Sequence, residues 1–200
     1  MPEPARKGPA GRATYQDVLA TSEHLVAEVV DGELVTSPRP ALRHARASSA
    51  VGAVLFGSFD SGPGDSGPGG WWILNEPELH LREDVIVPDL AGWRRERMPV
   101  LPDRAACELA PDWVCEVVSP ATARHDRVRK AALYARERVS HLWLVDPLAQ
   151  TLEVFRLEAE RWVRLSAHGG AERVRAEPFE VAELDLSRWW IEPAPDEGSH

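Results

Sequence analysis

Two acids in this sequence stand where an ionised side chain is costly. Asp89 closes the run Val85-Ile86-Val87-Pro88-Asp89-Leu90, and Glu116 lies inside Trp113-Val114-Cys115-Glu116-Val117-Val118. A carboxylate in or at the end of an apolar strand loses hydration free energy unless a counter-charge, hydrogen bonds or a metal ion compensate it. Proline favours strand edges and irregularities, so Pro88 can aim the next side chain into a cleft. In the second run the strand period of two puts Val114, Glu116 and Val118 on one face and Trp113, Cys115 and Val117 on the other. Two oxygen donors on neighbouring strands are the smallest cradle for Mg²⁺, which keeps several waters and completes its shell with substrate phosphate. Such an ion lowers the pKa of a bound water and offsets charge on a phosphodiester under attack. Either acid alone reads equally well as a carboxylate held by one of the chain's 21 arginines. The pair, followed by a basic helix, is harder to explain as structure.

That helix carries Lys130. Only Lys7 and Lys130 are lysines in a chain that otherwise uses arginine. A lysine ammonium is a compact charge whose pKa shifts when buried, which suits orienting or deprotonating an attacking water. The competing reading is a surface i, i+4 ion pair with Asp126. Arg124, Arg127 and Arg129, with His125 between them and Arg94, Arg95 and Arg97 upstream, could contact substrate phosphate, or form a solvated basic face. His44, after a proline-containing turn, is a further phosphate candidate or a structural histidine at a helix start. Trp71, Trp72, Trp189 and Trp190 read as core or subunit-interface aromatics, because no basic residues interleave them as on a base-stacking platform.

The elements that must position these residues follow from local pattern. Thr14 with Asp17 opens a short helix through about Ser22. Leu25 to Val30 and Glu33 to Thr36 flank Asp31-Gly32, the dipeptide of a tight primed hairpin turn. A helix from about Ala41 to Phe59 offers Leu42, Val51, Val54, Leu55 and Phe59 for burial. Residues 61–70 are almost wholly Gly, Ser, Pro and Asp, a connector without the lysine of a phosphate-binding loop. Strands follow at Trp71 to Leu74, Glu78 to Leu81, Ile86 to Trp93 and Trp113 to Val118, forming the central sheet. A helix from about Arg124 to Glu137 precedes strands at His141 to Val145, Thr151 to Leu157 and near Trp162 to Leu165, with a short segment around Trp189. No internal repeat is found.

The totals set the frame. A chain of 200 residues, 44% hydrophobic and 28% charged, suits one ordinary globular domain. We expect a flexible leader over 1–13, a single domain over 14–190 and a flexible tail over 191–200. No apolar run approaches the roughly 20 residues of a bilayer crossing, and nothing resembles a secretory signal, so the expected address is the cytoplasm, with no membrane partner. Cys107 and Cys115 lack zinc or redox spacing and read as reduced thiols. A net charge of −9 argues against a nucleic-acid coat protein, so any DNA contact must be local. It is compatible with clustered carboxylates that await a cation.

Taken in order, these residues resemble the PD-(D/E)XK nuclease superfamily and, within it, the Uma-two-type family of restriction-endonuclease-like proteins. The stretches that carry the resemblance are Val29-Val30-Asp31-Gly32-Glu33-Leu34-Val35, Ser37-Pro38, His44 and Val87-Pro88-Asp89. The strongest runs from Val114-Cys115-Glu116-Val117-Val118-Ser119-Pro120 through Asp126, Lys130 and Tyr134 to Trp143-Leu144-Val145-Asp146-Pro147. The resemblance spans about Thr14 to Leu157. It implies an α/β (α+β) fold with a central mixed β-sheet flanked by helices, restriction-endonuclease-like, and a Mg²⁺-dependent endonuclease acting on DNA, with Mn²⁺ as a substitute ion. It also implies Asp89 and Glu116 as metal ligands, with Glu28 as a further acid for metal or water. The departure is Val118, which stands where the superfamily has lysine; Lys130 is the replacement we expect. An alternative keeps the fold without the reaction, as a module binding nucleic acid or a protein partner: Val118 favours it and Lys130 opposes it. RNA or small nucleotides remain open as substrates. Cutting both strands of a duplex calls for two centres, so a homodimer is expected, with the terminal tryptophans as slight support.

Overall fold

The structure, a computed structural model, describes residues 11–60 and 67–191. The expected leader up to residue 10, the tail from 192 and residues 61–66 of the Gly/Ser/Pro/Asp connector lie outside the described residues. Thr14 caps α1 (Tyr15–Leu19), its N–H donating to the Asp17 carboxylate at 2.8 Å. The hairpin of β1 (Leu25–Val30) and β2 (Glu33–Pro38) turns at Asp31 and Gly32 with φ of 54° and 80°. Both angles are positive, as a primed turn requires. Helix α2 (Leu42–Phe59) buries Ala47, Val51, Leu55 and Phe59, a stripe at spacings of four.

The remaining elements are β3 (Trp71–Asn75), β4 (Glu78–Leu81), β5 (Asp84–Ile86), β6 (Leu90–Arg94), β7 (Ala106–Cys107), β8 (Trp113–Val117) and α3 (Ala131–Arg136). They continue with β9 (His141–Asp146), β10 (Thr151–Glu158), β11 (Arg161–Gly169), β12 (Arg173–Val174) and β13 (Leu184–Asp185). They build a six-stranded sheet in the order β11-β10-β9-β8-β6-β3 and a five-stranded sheet in the order β2-β1-β5-β4-β7. In the first, β8 and β9 run parallel and the other pairs antiparallel, so the sheet is mixed, as expected. The short pairs involving β7, β12 and β13 were not anticipated.

Two expectations are corrected. The run Ile86 to Trp93 is not one strand of a single central sheet: β5 belongs to the five-stranded sheet and β6 to the six-stranded one. Pro88 has no N–H for a ladder, and the Val87 N–H and C=O are taken by Glu28 and Lys130, so the chain leaves one sheet and enters the other across Val87-Pro88-Asp89. The helix expected over 124–137 begins with a π-helical turn, His125–Lys130, before α3. Wide turns of this kind often mark functional positions.

The central strands of the six-stranded sheet are buried on both faces, and β8 shows how. Trp113, Cys115 and Val117 join one core with α2, Trp71, Trp143 and the C-terminal residues Phe179, Trp189 and Trp190. Val114 and Val118 join the other, with β4, β5 and the α3 residues Leu133 and Tyr134. Trp189 and Trp190 are 0% and 7% exposed, so they are core residues and lend no support to a dimer interface. Among the described residues no helix is long and apolar enough to cross a membrane.

Candidate active site

Glu116 follows the strand period into the second core, where it is 2% exposed. Its Oε1 lies 2.9 Å from Lys130 Nζ and accepts the Tyr134 hydroxyl hydrogen. Lys130 Nζ also lies 3.0 Å from Glu28 Oε1 and 3.2 Å from the Val87 carbonyl oxygen. These three contacts use all three N–H donors of the ammonium. The π turn explains the reach: Asp126 and Lys130, expected as i, i+4 partners, form no ion pair, and Lys130 instead extends to two other acids. The surface-pair reading of Lys130 is thereby excluded, for the side chain is 3% exposed.

Asp89 enters from the crossing segment between the sheets. Its Oδ2 accepts the Val117 N–H at 2.7 Å, and its Oδ1 lies 3.1 Å from His44 Nε2 on the first turn of α2. Glu28, on β1, accepts the Val87 N–H at 2.8 Å through Oε1 and faces His125 Nε2 at 3.3 Å through Oε2. Three of the expected site residues, Glu28, Glu116 and Lys130, thus form one bonded cluster. Asp89 reaches it through the neighbouring Val117 backbone, and Asp89 and Glu116 both line a cleft of about 580 Å³.

The electrostatics follow from burial and crowding. Burial raises the Glu116 carboxyl well above its usual range; Lys130 opposes this, while Asp126, Asp89 and Glu28 push the same way as burial. Burial would also raise Glu28, but the Lys130 charge and hydrogen bonds from His125, Val87 and Lys130 outweigh it and bring it down to about 2. Lys130 would be lowered by burial, yet Glu116 and Glu28 hold it well above the ordinary lysine value. Its ammonium donates hydrogen bonds to both acids and to the Val87 carbonyl.

Five carboxylates line the cleft, Glu28, Glu76, Asp89, Glu116 and Asp126, against one lysine and one arginine, Arg39. That imbalance is a donor set that could hold a cation. No group of three or more His, Cys, Asp or Glu side chains is gathered for a metal among the described residues. A zinc cage is therefore not what the residues offer. Mg²⁺ binds through one or two carboxylates and keeps its waters, so Asp89 and Glu116 fit it.

The arginines lie elsewhere. Arg127 is bonded to Glu153, and Arg129 to the Val30 carbonyl at 2.9 Å and to Glu33 at 2.8 Å. Arg124 is exposed without an ion-pair partner among the described residues, and none of the three lines the cleft. Arg95 is held by Asp60 at 2.7 Å and Arg97 by Asp112 at 2.9 Å. Two further residues at the site, Tyr134 behind Glu116 and Asp126 on the cleft wall, received no chemical role from the sequence. Tyr134 lies four residues after Lys130, a helical spacing that could have flagged it, and burial followed by Glu116 raises its hydroxyl well above the ordinary value. Asp126, 5% exposed, is raised chiefly by burial, with Lys130 opposing.

Comparison with known proteins gives the family and a likeness of fold. A family described as "Uma2: Putative restriction endonuclease" matches residues 13–187. No curated protein matches the chain. Among solved structures, a "putative nuclease belonging to DUF820 from Anabaena variabilis ATCC 29413" is similar at a TM-score of 0.71 and 18% identity. The alignment covers 88% of this chain and 97% of that one. At that identity the likeness is one of fold.

Proposed function

The chain belongs to the Uma2 restriction-endonuclease-like family, and from that premise we propose that it is a metal-dependent endonuclease that hydrolyses DNA phosphodiester bonds. The observation that carries the reading is the ammonium of Lys130 at 2.9 Å from Glu116. Val118 is 2% exposed in the apolar core and brings no charge, and Lys130 supplies from the helix what the strand lacks. This placement favours the enzyme over a module that has lost catalysis.

Asp89 and Glu116 would hold Mg²⁺, or Mn²⁺ in its place, with Glu28 as the acid behind them. When bound, such an ion would lower the pKa of a coordinated water and would offset negative charge on the phosphodiester under attack. The protein's part is positional and electrostatic. Val117 N–H fixes one oxygen of Asp89, while Lys130 and Tyr134 fix one oxygen of Glu116. Lys130 keeps Glu28 and Glu116 from repelling each other and donates its charge to the side of the cleft where an anionic substrate must sit. Arg39 is the one arginine lining the cleft, so phosphate attraction rests chiefly on the metal. The reading includes a two-fold dimer, because cutting both strands takes two centres.

The test is conversion of supercoiled plasmid by the purified chain with Mg²⁺ or Mn²⁺, beside Asp89→Ala and Glu116→Gln. Metal-dependent nicking by the wild type, absent in both variants, is the expected result. Equal background in all three sinks the enzyme, and cleavage of RNA but not plasmid moves the substrate class.

A further inference from the structure

His44 was expected to meet substrate phosphate, and its geometry leaves neither ring nitrogen for that task. Nε2 is 3.1 Å from Asp89 Oδ1. An ionised carboxylate only accepts, so this nitrogen carries the hydrogen and donates it to Asp89. Nδ1 is buried and has no hydrogen-bond partner. A buried polar atom left without a partner costs about 1–3 kcal/mol and calls for an explanation.

The backbone around His44 is built to hold it there. Helix α2 presses so close to the sheet that a Cβ on Gly52 would lie 2.7 Å from Asn75 Oδ1 and 3.0 Å from Leu90 Cδ2. Leu90 follows Asp89, and Glu76, the neighbour of Asn75, donates its N–H to the Asp89 carbonyl at 3.0 Å. The contact that sets how near α2 approaches is therefore made by the residues flanking Asp89. With Val117 N–H on Oδ2 and His44 on Oδ1, the carboxylate is gripped at both oxygens, from two separate elements.

We propose that His44 is a positioning residue for Asp89: its Nε2–H holds the carboxylate in one orientation, so that the group is ordered before a divalent cation arrives. This rests on the metal-dependent reading above. A carboxylate free to rotate must be ordered during binding, and that loss of freedom weakens the affinity. Groups that hydrogen-bond a metal ligand typically change metal affinity or activity by about 10–100-fold when removed. Arg, Lys or Asn at a cleft surface would serve a phosphate; a half-buried histidine with its second nitrogen sealed off serves the carboxylate.

The experiment measures Mn²⁺ binding to the full chain without substrate, by the electron paramagnetic resonance of free Mn²⁺, together with thermal unfolding. The proteins are wild type, Asp89→Ala, His44→Ala and His44→Gln. Wild type should bind, Asp89→Ala should lose binding, and His44→Ala should bind about 10–100-fold more weakly. His44→Gln, whose side-chain amide also donates, should recover most of the affinity. If His44→Ala does not fold, His44→Phe fills the volume without a donor and takes its place. A structural role alone would lower the unfolding temperature and leave Mn²⁺ affinity unmoved, and that result overturns the proposal. So does an affinity lost equally in the Gln variant. Absence of Mn²⁺ binding by the wild type instead brings down the metal reading itself, and this inference with it.

Discussion

On one face of the six-stranded sheet, Phe179 lies among Trp71, Trp113 and Trp143 with ring centroids 4.9, 5.0 and 5.6 Å away. On the other, between Cys115 and Val117 in sequence and of opposite strand parity to them, Glu116 is buried between Lys130 and Tyr134. The first face is held by ring packing, with the indole N–H groups of Trp113 and Trp189 left without hydrogen-bond partners. The second confines the Lys130 ammonium and its acids, ionisable groups whose desolvation opposes folding. The contrast teaches that β8 need not be stable on both sides. Aromatic packing against α2 and the C-terminal segment offsets the cost of keeping charges buried opposite.

The comparison can be broken at its strongest point first. Phe179→Ala should lower stability by about 3–5 kcal/mol in urea denaturation, through the lost area and the cavity among three indoles. A loss under about 1 kcal/mol would mean that the aromatic face is not what carries the sheet. Next, Lys130→Met should cost about 3 kcal/mol, because Glu28 and Glu116 are then buried without their cation. Adding Glu116→Gln to that variant should restore part of the loss; if the double variant is less stable than Lys130→Met, uncompensated charge is not the cause. Tyr134→Phe removes one donor from Glu116 without opening a cavity and should cost about 1–2 kcal/mol, read as a lower midpoint at unchanged denaturant dependence.

The smallest effect sharpens the contrast from outside the cleft. Arg127→Ala breaks a partly exposed pair with Glu153 and should cost under about 1 kcal/mol at neutral pH. Burial would raise Glu153, but hydrogen bonds from Arg127 and Arg164 and their charges hold it below the usual carboxylate value. A depressed folded-state pKa stabilises above the unfolded-state value and ceases to do so as pH falls through the folded one. The difference between wild type and Arg127→Ala should therefore shrink below about pH 4. A difference that stays constant into acid would assign the effect to packing of the arginine stem.

Much of this arrangement is legible in sequence wherever one period governs a stretch. The alternation from Trp113 to Val118 places Glu116 correctly, and Asp31-Gly32 forces the hairpin that brings Glu28 to the cleft. The reading fails where tertiary partners override local pattern. Ile86 to Trp93 is apolar throughout, so nothing within it shows that Val87 gives its backbone groups to Glu28 and Lys130 and lets the chain change sheets. The π turn is invisible for the same reason, since an α period and a π turn share their side-chain types over six residues. Trp189 and Trp190 look exposed in sequence and are buried because they join the core of α2, β9 and Phe179, where Trp143 lies 6.4 Å from Trp189. For the arginines, a basic run does not say which acids elsewhere claim its members: Glu153 takes Arg127 and Glu33 takes Arg129, while Arg124 has no ion-pair partner among the described residues.

The burial of Lys130 has a consequence for chemical probing. It is the one lysine among the described residues, and its ammonium is raised and enclosed. An acylating reagent needs the neutral amine, which this side chain yields only when its bonds to Glu28, Glu116 and Val87 are broken together. The rate at which Lys130 becomes labelled is thus a clock for opening of the cleft itself, readable by mass spectrometry of the peptide that contains Lys130, separately from tags on Lys7 and the N-terminal amine.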